Sequence, residues 1–386
     1  MKKIAFVAPT FPVLSETFIR TEIDSIQACG HKVCMMTFKK HLSAQKFKYP
    51  IYEIGQFFSL AFITRMTPRQ LIQFMRFILS QKSMPKRSLF LYSIKLASQL
   101  AKLNIDHVHA HFAQHTASHS IAAAKLIGIS CSFVAHGHDI YESPFDVRLK
   151  LDSSDFTVAV CNDMKQDFIK LSNNNIKLLH CGVKTTLFKP QPKLNRNNIQ
   201  LVFVGRLIEA KGVSYLLRSL QGLCGKYPIS IDIIGDGELA EDLRQQASEL
   251  GLTPYVHFLG AKEPSWLQAN LPQYDCLVAP FCSTASGLID TGPVVLKEAM
   301  AVGLPVITTN IMGCKEIVGP NTGLLVNQKD ELLLAQAIER FVSLPEEKRL
   351  EMGQLARKNI EQNFDATKQA RILSGWIENI SPCSTT

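Results

Sequence analysis

Three short runs of this 386-residue chain combine charge, glycine and an apolar lead-in in ways that could do chemistry. The first is Val204-Gly205-Arg206-Leu207-Ile208-Glu209-Ala210-Lys211-Gly212, an apolar strand running into a loop that holds Arg206 and Lys211. Two cations at a strand end suit a diphosphate, and fixed cations aimed at charge developing on a leaving group lower a barrier by several kcal/mol. By spacing alone the pair reads equally well as two cations on an exposed loop. The second run, Asp290-Thr291-Gly292-Pro293-Val294-Val295-Leu296-Lys297-Glu298, opens a helix with glycine before proline. The N–H groups that follow Pro293 are available to phosphate, with the helix dipole behind them. Glu298 then stands in an apolar helix, where a carboxylate needs a donor. A ribose diol offers two hydroxyls; a salt bridge or an exposed edge would satisfy it as well. The third run is Phe133-Val134-Ala135-His136-Gly137-His138-Asp139. A lone histidine is more often structural, but His136 ends a strand, where ligands of parallel sheets bind.

The elements that position these runs follow from hydrophobic periodicity. In the first half, strands are expected at 4–8, 31–38, 107–110, 132–135, 156–160 and 176–180, with helices at 16–29, 116–127 and 163–171 between them. Residues 189–198 carry two prolines and three asparagines and read as a linker. The pattern then restarts, with strands at 199–204, 229–234, 256–259, 276–279, 305–309 and 324–326. Helices are expected at 213–223, 239–250, 293–301, 331–343, 346–362 and 366–380, the last anchored by Trp376. Alternation of short apolar strands with helices predicts an α/β chain of two doubly wound parallel sheets. The expected domains are 1–188 and 199–365, with a final helix at 366–386 returning to the first. The cleft between two such sheets is the natural ligand site.

Composition narrows the class. Hydrophobic residues make up 46% of the chain, enough for two cores. Ten cysteines without a CxxC pair read as small buried residues in a reducing cytosol. The opening apolar run is too brief for a signal peptide and fits a first strand. The net charge is +9, and residues 39–102 hold twelve Lys/Arg against one acid, Glu53. That segment is also rich in Phe, Leu, Ile and Met, yet its longest uncharged run, 54–64, falls short of the ~20 residues that span a bilayer. It reads as a contact with an anionic membrane surface, against the plainer reading of helices on the sheet with a solvated basic face. No nucleic-acid-binding module is recognisable.

Together these runs resemble the retaining GT-B glycosyltransferases of family 4, from Lys3 to about residue 365, and the opening Phe11-Pro12-Val13-Leu14-Ser15-Glu16-Thr17-Phe18-Ile19 resembles the subgroup of bacterial exopolysaccharide and lipopolysaccharide synthesis. The resemblance implies the GT-B fold and assigns roles residue by residue. Gly205, Arg206 and Lys211 match a G-R-x(4)-K loop that holds the donor pyrophosphate. Asp290 and Glu298 match an E-x(7)-E pair, Glu298 for the nucleotide ribose and Asp290 for the donor sugar. Asp290 is one methylene shorter than the usual glutamate. Ala135–Asp139 matches A-H-G-x-D, placing His136 beside the donor sugar. Gly235 and Leu259 fall in the nucleotide-side loops, and Gly292, Pro293, Val294 and Val295 at the phosphate-binding helix start. Ser15, Glu16 and Thr17 replace the glycine pair of the family's first loop, on the acceptor side.

The resemblance further implies transfer from a UDP- or GDP-sugar to a glycan or lipid-linked oligosaccharide, with retention and without a cofactor. The expected location is the cytoplasm, at the inner face of the membrane through 39–102. His107, His109 and His111, which share one strand face, with His115 and His119 look like a metal cluster. The family carries a similar H-A-H-F segment without metal and the chain lacks a D-x-D motif, so no metal is expected. A catalytically weak sugar-nucleotide-binding subunit of an assembly complex is the alternative reading. A nicotinamide-dependent enzyme ranks lower, because no G-x-G-x-x-G follows either first strand.

Overall fold

Short, continuous runs of β-branched and aromatic residues cannot leave either face in water, and here they form two all-parallel sheets covered by helices. The computed structural model describes residues 1–13, 16–41, 46–193 and 198–380. It divides into one unit comprising Met1–Cys181 and the chain from Thr367, and a second comprising Gly182–Ala366.

The first unit is built from β1 (Lys3–Phe11), α1 (Thr17–Ala28), β2 (Lys32–Lys40), β3 (Ile51–Glu53), α2 (Pro68–Ser80), α3 (Lys86–Lys102), β4 (His107–His111), α4 (His115–Ile127), β5 (Ser130–Val134), α5 (Val147–Ser153), β6 (Phe156–Ala159), α6 (Asn162–Leu171) and β7 (Ile176–Leu178). Its sheet runs β3-β2-β1-β4-β5-β6-β7. Ile4 pairs with Val33 on one side and His107 on the other, which puts β1 in the middle, and Ile4–Ala8 are fully buried.

The basic segment forms β3, α2 and α3, with a 3-10 turn at Leu60–Arg65. Thr67 and Gln70 cap α2 reciprocally and Pro68 takes its first position, so the start is strongly specified. The inner face of α2 buries Phe74, Phe77 and Ile78, and that of α3 buries Leu89, Leu96 and Leu100. Their outer faces expose Leu71, Ile72, Leu79, Leu91 and Tyr92 alongside Arg69, Arg76, Lys86 and Arg87. Packed helices and a basic, apolar outer surface therefore coexist. Among the described residues, no helix is long and apolar enough to cross a membrane.

The second unit contains β8 (Ile199–Val204), α7 (Val213–Leu220), β9 (Ile229–Ile234), α8 (Ala240–Glu249), β10 (Val256–Gly260), α9 (Pro264–Asn270), β11 (Cys276–Ala279), α10 (Val294–Ala301), β12 (Val306–Thr309), α11 (Cys314–Ile317), β13 (Gly323–Val326), α12 (Glu331–Val342) and α13 (Glu346–Asn363). Its sheet runs β10-β9-β8-β11-β12-β13. Counted from its own first strand this is the order 3-2-1-4-5-6, whose direction reverses between β8 and β11. The loops after those two strands flank the switch point.

The division between units falls at Cys181/Gly182, ahead of the polar stretch 189–198, of which 194–197 lie outside the described residues. Val183 exchanges backbone hydrogen bonds with Phe364 and Ala366, both 2.9 Å. The Arg357 guanidinium binds the carbonyls of Thr185 and Phe188. Residues 182–188 are thus bonded into the second unit before the prolines begin. The last helix, α14 (Ala366–Glu378), sets Trp376 edge-on to Phe156 at 6.0 Å, and Ser374 lies 2.8 Å from His31.

Candidate active site

In the second unit the strand-end loops are hydrogen-bonded to one another. Gly205 N–H donates to Ile234 O (3.0 Å), Leu207 N–H to Asp236 O (2.9 Å) and Gly235 N–H to Gly260 O (3.0 Å). Gly235 has φ +147°, and a Cβ there would lie 1.8 Å from the Gly205 carbonyl oxygen, so only glycine fits. On the other side Cys282 N–H donates to Ala210 O (2.9 Å) and Gly313 N–H to Thr291 O (3.1 Å). The loops carrying Gly205–Lys211, Gly235 and Asp290–Pro293, with the end of β10 at Leu259, therefore form one continuous rim at the carboxyl edge of the sheet.

Lys211 Nζ lies 2.6 Å from Asp290 Oδ2 and 5.0 Å from the Phe281 ring centroid. Two residues 79 positions apart thereby become one charge-assisted pair at the switch point. Arg206 is exposed on the same loop. Helix α10 begins at Val294 with Pro293 as its cap residue and no side-chain cap, leaving the first N–H groups of Val294 and Val295 to other acceptors. One turn on, Glu298 is half-buried. Burial pushes its carboxyl up to about 7, and the neighbouring Lys297 only partly opposes this. A carboxylate desolvated in this way is ready to accept hydrogen bonds from a ligand's hydroxyls.

In the first unit His136 follows β5. Its Nε2 lies 3.1 Å from His111 Nδ1, and its ring packs on Phe18 (4.5 Å) and Phe112 (4.9 Å). Asp139 accepts from the N–H groups of His136 (2.9 Å) and Ala113 (2.6 Å), tying the loops after β4 and β5. The aspartate of the A-H-G-x-D segment is thus a loop tie. Burial raises its carboxyl, and the two N–H donors oppose the rise. Glu16 and Thr17 stand half-buried at the start of α1; Ser15 lies outside the described residues.

The five histidines separate. His107 binds Ser130 and Ser132 hydroxyls through its two nitrogens, both at 2.8 Å. His115 and His119 pack on Phe38. His109 and His111 meet Glu22 of α1, which sequence reasoning did not single out. The available signal was its spacing: Phe18, Ile19, Glu22, Ile23 and Ile26 share one helix face. Burial alone would raise the Glu22 carboxyl, but His111 and His109 reverse this and hold it well below the usual range. His109 is itself lowered by burial, against the pull of Glu22.

Residues 15–187 match the model of Glycosyltransferase Family 4, and residues 184–359 that of Glycosyl transferases group 1. With two parallel α/β units, these matches make the chain a glycosyltransferase of the GT-B fold. Among particular relatives, it is 30% identical over 210 residues to the Escherichia coli K12 glycosyltransferase WcaL, named for colanic acid biosynthesis, across 53% of this chain and 51% of that one. It is 29% identical over 189 residues to the amylovoran biosynthesis glycosyltransferase AmsK of Erwinia amylovora, across 47% and 45% of the two chains. These two alignments thus span about half the length of each of the two relatives. The crystal structure of Anabaena HepE in complex with UDP-glucose superposes with a TM-score of 0.74 over 98% of this chain and 100% of that one, at 19% identity. At that identity the likeness is one of fold.

Proposed function

We propose that this glycosyltransferase moves a sugar from a nucleoside-diphosphate sugar to a glycan or lipid-linked acceptor in bacterial surface polysaccharide synthesis, with retention of anomeric configuration. The observation that carries this reading is the rim of the second unit. There Arg206, Lys211 and the uncapped N–H groups of Val294 and Val295 share a rim with the desolvated carboxylate of Glu298. The relatives named for colanic acid and amylovoran biosynthesis support the pathway class, and the UDP-glucose complex of HepE, alike in fold, supports a nucleotide-sugar donor.

In this reading Arg206 and Lys211 take the pyrophosphate, the Val294 and Val295 N–H groups assist, and Glu298 accepts from the ribose hydroxyls. Asp290 and, following the family pattern, His136 orient the donor sugar. The bond between the anomeric carbon and the diphosphate oxygen breaks while the acceptor oxygen bonds to that carbon from the same face. The acceptor proton passes to the leaving phosphate. The fixed cations supply the charge stabilisation that a metal supplies elsewhere. The first unit carries the acceptor, and the outer faces of α2 and α3 lie on an anionic membrane at the cytoplasmic side.

The test is to incubate the full chain with UDP- and GDP-sugars and polyprenyl-linked oligosaccharides, reading nucleotide release and the product anomer by NMR. Release coupled to an α-linked product from an α-linked donor is expected. Release without glycoside formation, or an inverted product, overturns the reading.

A further inference from the structure

In the first unit, three buried polar atoms converge at ion-pair distance without an aligned hydrogen bond. Nε2 of His109 and Nε2 of His111 lie 3.4 Å and 3.3 Å from the same oxygen, Oε1 of Glu22. Both histidines are fully buried, and none of the three atoms has an aligned hydrogen bond. Burying such groups unsatisfied is costly, so the arrangement calls for an occupant.

The rest of each ring is already committed. His109 Nδ1 lies 2.7 Å from the Ser132 hydroxyl, and His111 Nδ1 lies 3.1 Å from His136 Nε2. Each imidazole thus has its Nδ1 side engaged and its Nε2 turned to a common point. Metal-ligating histidines are held this way, the far nitrogen bonded to fix tautomer and ring orientation. The spacing agrees. A tetrahedral zinc ion with bonds of about 2.05 Å has ligand–ligand edges of roughly 3.3–3.4 Å, and the two N···O separations are 3.3 and 3.4 Å. All three donor atoms lie within 4.8 Å of one another. A charge-assisted N–H···O bond would be aligned and closer, at about 2.7–2.9 Å.

We propose that Glu22, His109 and His111 bind one divalent cation of the zinc class, completed by a solvent ligand. Two imidazoles and a carboxylate are a donor set that suits zinc. The ion ties α1 to β4 and, through His111, fixes the ring of His136. It is a cation of the first unit and leaves the diphosphate chemistry of the second unit metal-free. This departs from the expectation drawn from the H-A-H-F segment. That expectation weighed five histidines, three of them on one strand, and could not see the glutamate brought to them by α1.

The full chain, stripped with chelator and dialysed, is titrated with zinc and with cobalt(II). Expected results are one zinc per chain by elemental analysis, a rise in melting temperature with zinc, and the visible absorption of tetrahedral cobalt. Glu22→Gln and His109→Gln each lower zinc affinity on the order of 100-fold or more. His138→Ala, at an exposed histidine paired with Glu142, leaves it unchanged. If a variant fails to fold, the cobalt spectrum of the unmutated chain still tests the donor set: bands without thiolate-to-cobalt charge transfer are expected, and a thiolate band overturns the proposal. A chain that takes up no zinc and shows no tetrahedral cobalt bands overturns the proposal. So does zinc uptake that folded Glu22→Gln and His109→Gln proteins retain in full.

Discussion

Glu298 sits on α10 with its carboxyl raised by burial from 4.5 to about 7, so Glu298→Gln has a pH-dependent effect of calculable size. The folded chain holds a proton that the unfolded chain releases. Stability therefore falls as pH rises from 4.5 through 7 and levels off above. The shift of 7 − 4.5 = 2.5 pKa units, at roughly 1.4 kcal/mol each, amounts to about 3 kcal/mol lost across that window. Glutamine does not titrate, so Glu298→Gln escapes the loss. In ligand-free thermal melts between pH 4.5 and 8.5, the variant gains on the parent by about 3 kcal/mol as pH rises. That is about 6–12 °C in the melting transition of the second unit. A difference between the two proteins that stays constant over this range would refute the desolvation argument. Acceptance of ribose hydroxyls by Glu298 would then lose its physical basis as well.

The remaining expectations concern the same rim and the basic face. Arg206→Ala and Lys211→Ala each lower kcat for sugar transfer on the order of 10²–10³-fold, read as nucleotide release. Asp290→Asn deprives Lys211 of its 2.6 Å partner and lowers turnover as well, whereas a large gain in Asp290→Glu would mark a weakened enzyme. Affinity for UDP-glucose, measured calorimetrically, rises up to about tenfold per pH unit between pH 5 and 7 because hydroxyls donate to the ionised Glu298, and it is flat in Glu298→Gln. Gly235→Ala drives a Cβ into the Gly205 carbonyl and costs more than about 3 kcal/mol in urea melts of the second unit. The chain sediments with anionic vesicles and not with zwitterionic ones. Ile72→Glu with Leu79→Glu releases it, since both side chains are more than half exposed beside Arg69 and Arg76.

The parallel sheets were legible because buried strands such as 199–204 and 229–234 read as short runs dominated by Ile, Leu, Val and Phe, broken only by Gln200, Ser230 and Asp232, and both appear with those bounds. The three chemical runs all fall at carboxyl strand ends, where the order of elements alone would place them. Three features were not legible, each for a tertiary reason. Glu22 joins His109 and His111 only when α1 packs on β4, 87 residues apart in sequence for the first pair. The Lys211–Asp290 pair likewise needs β8 and β11 to be neighbours. The linker was read from prolines and asparagines; the compact units divide at Cys181/Gly182, and the hydrogen bonds of Val183 to Phe364 and Ala366 just beyond leave no mark on composition. β3 and α5 were missed because three and seven residues are too few to show a period.

The central claim is that the rim of the second unit holds a nucleoside diphosphate through Arg206 and Lys211. Equilibrium binding of UDP, GDP, ADP, CDP and TDP to the unmutated chain and to the Arg206→Ala/Lys211→Ala double variant tests it most directly. Saturable one-to-one binding of at least one diphosphate to the parent is expected, weakened at least tenfold in the folded double variant. Binding of none of the five, or binding that the double variant retains in full, would contradict it.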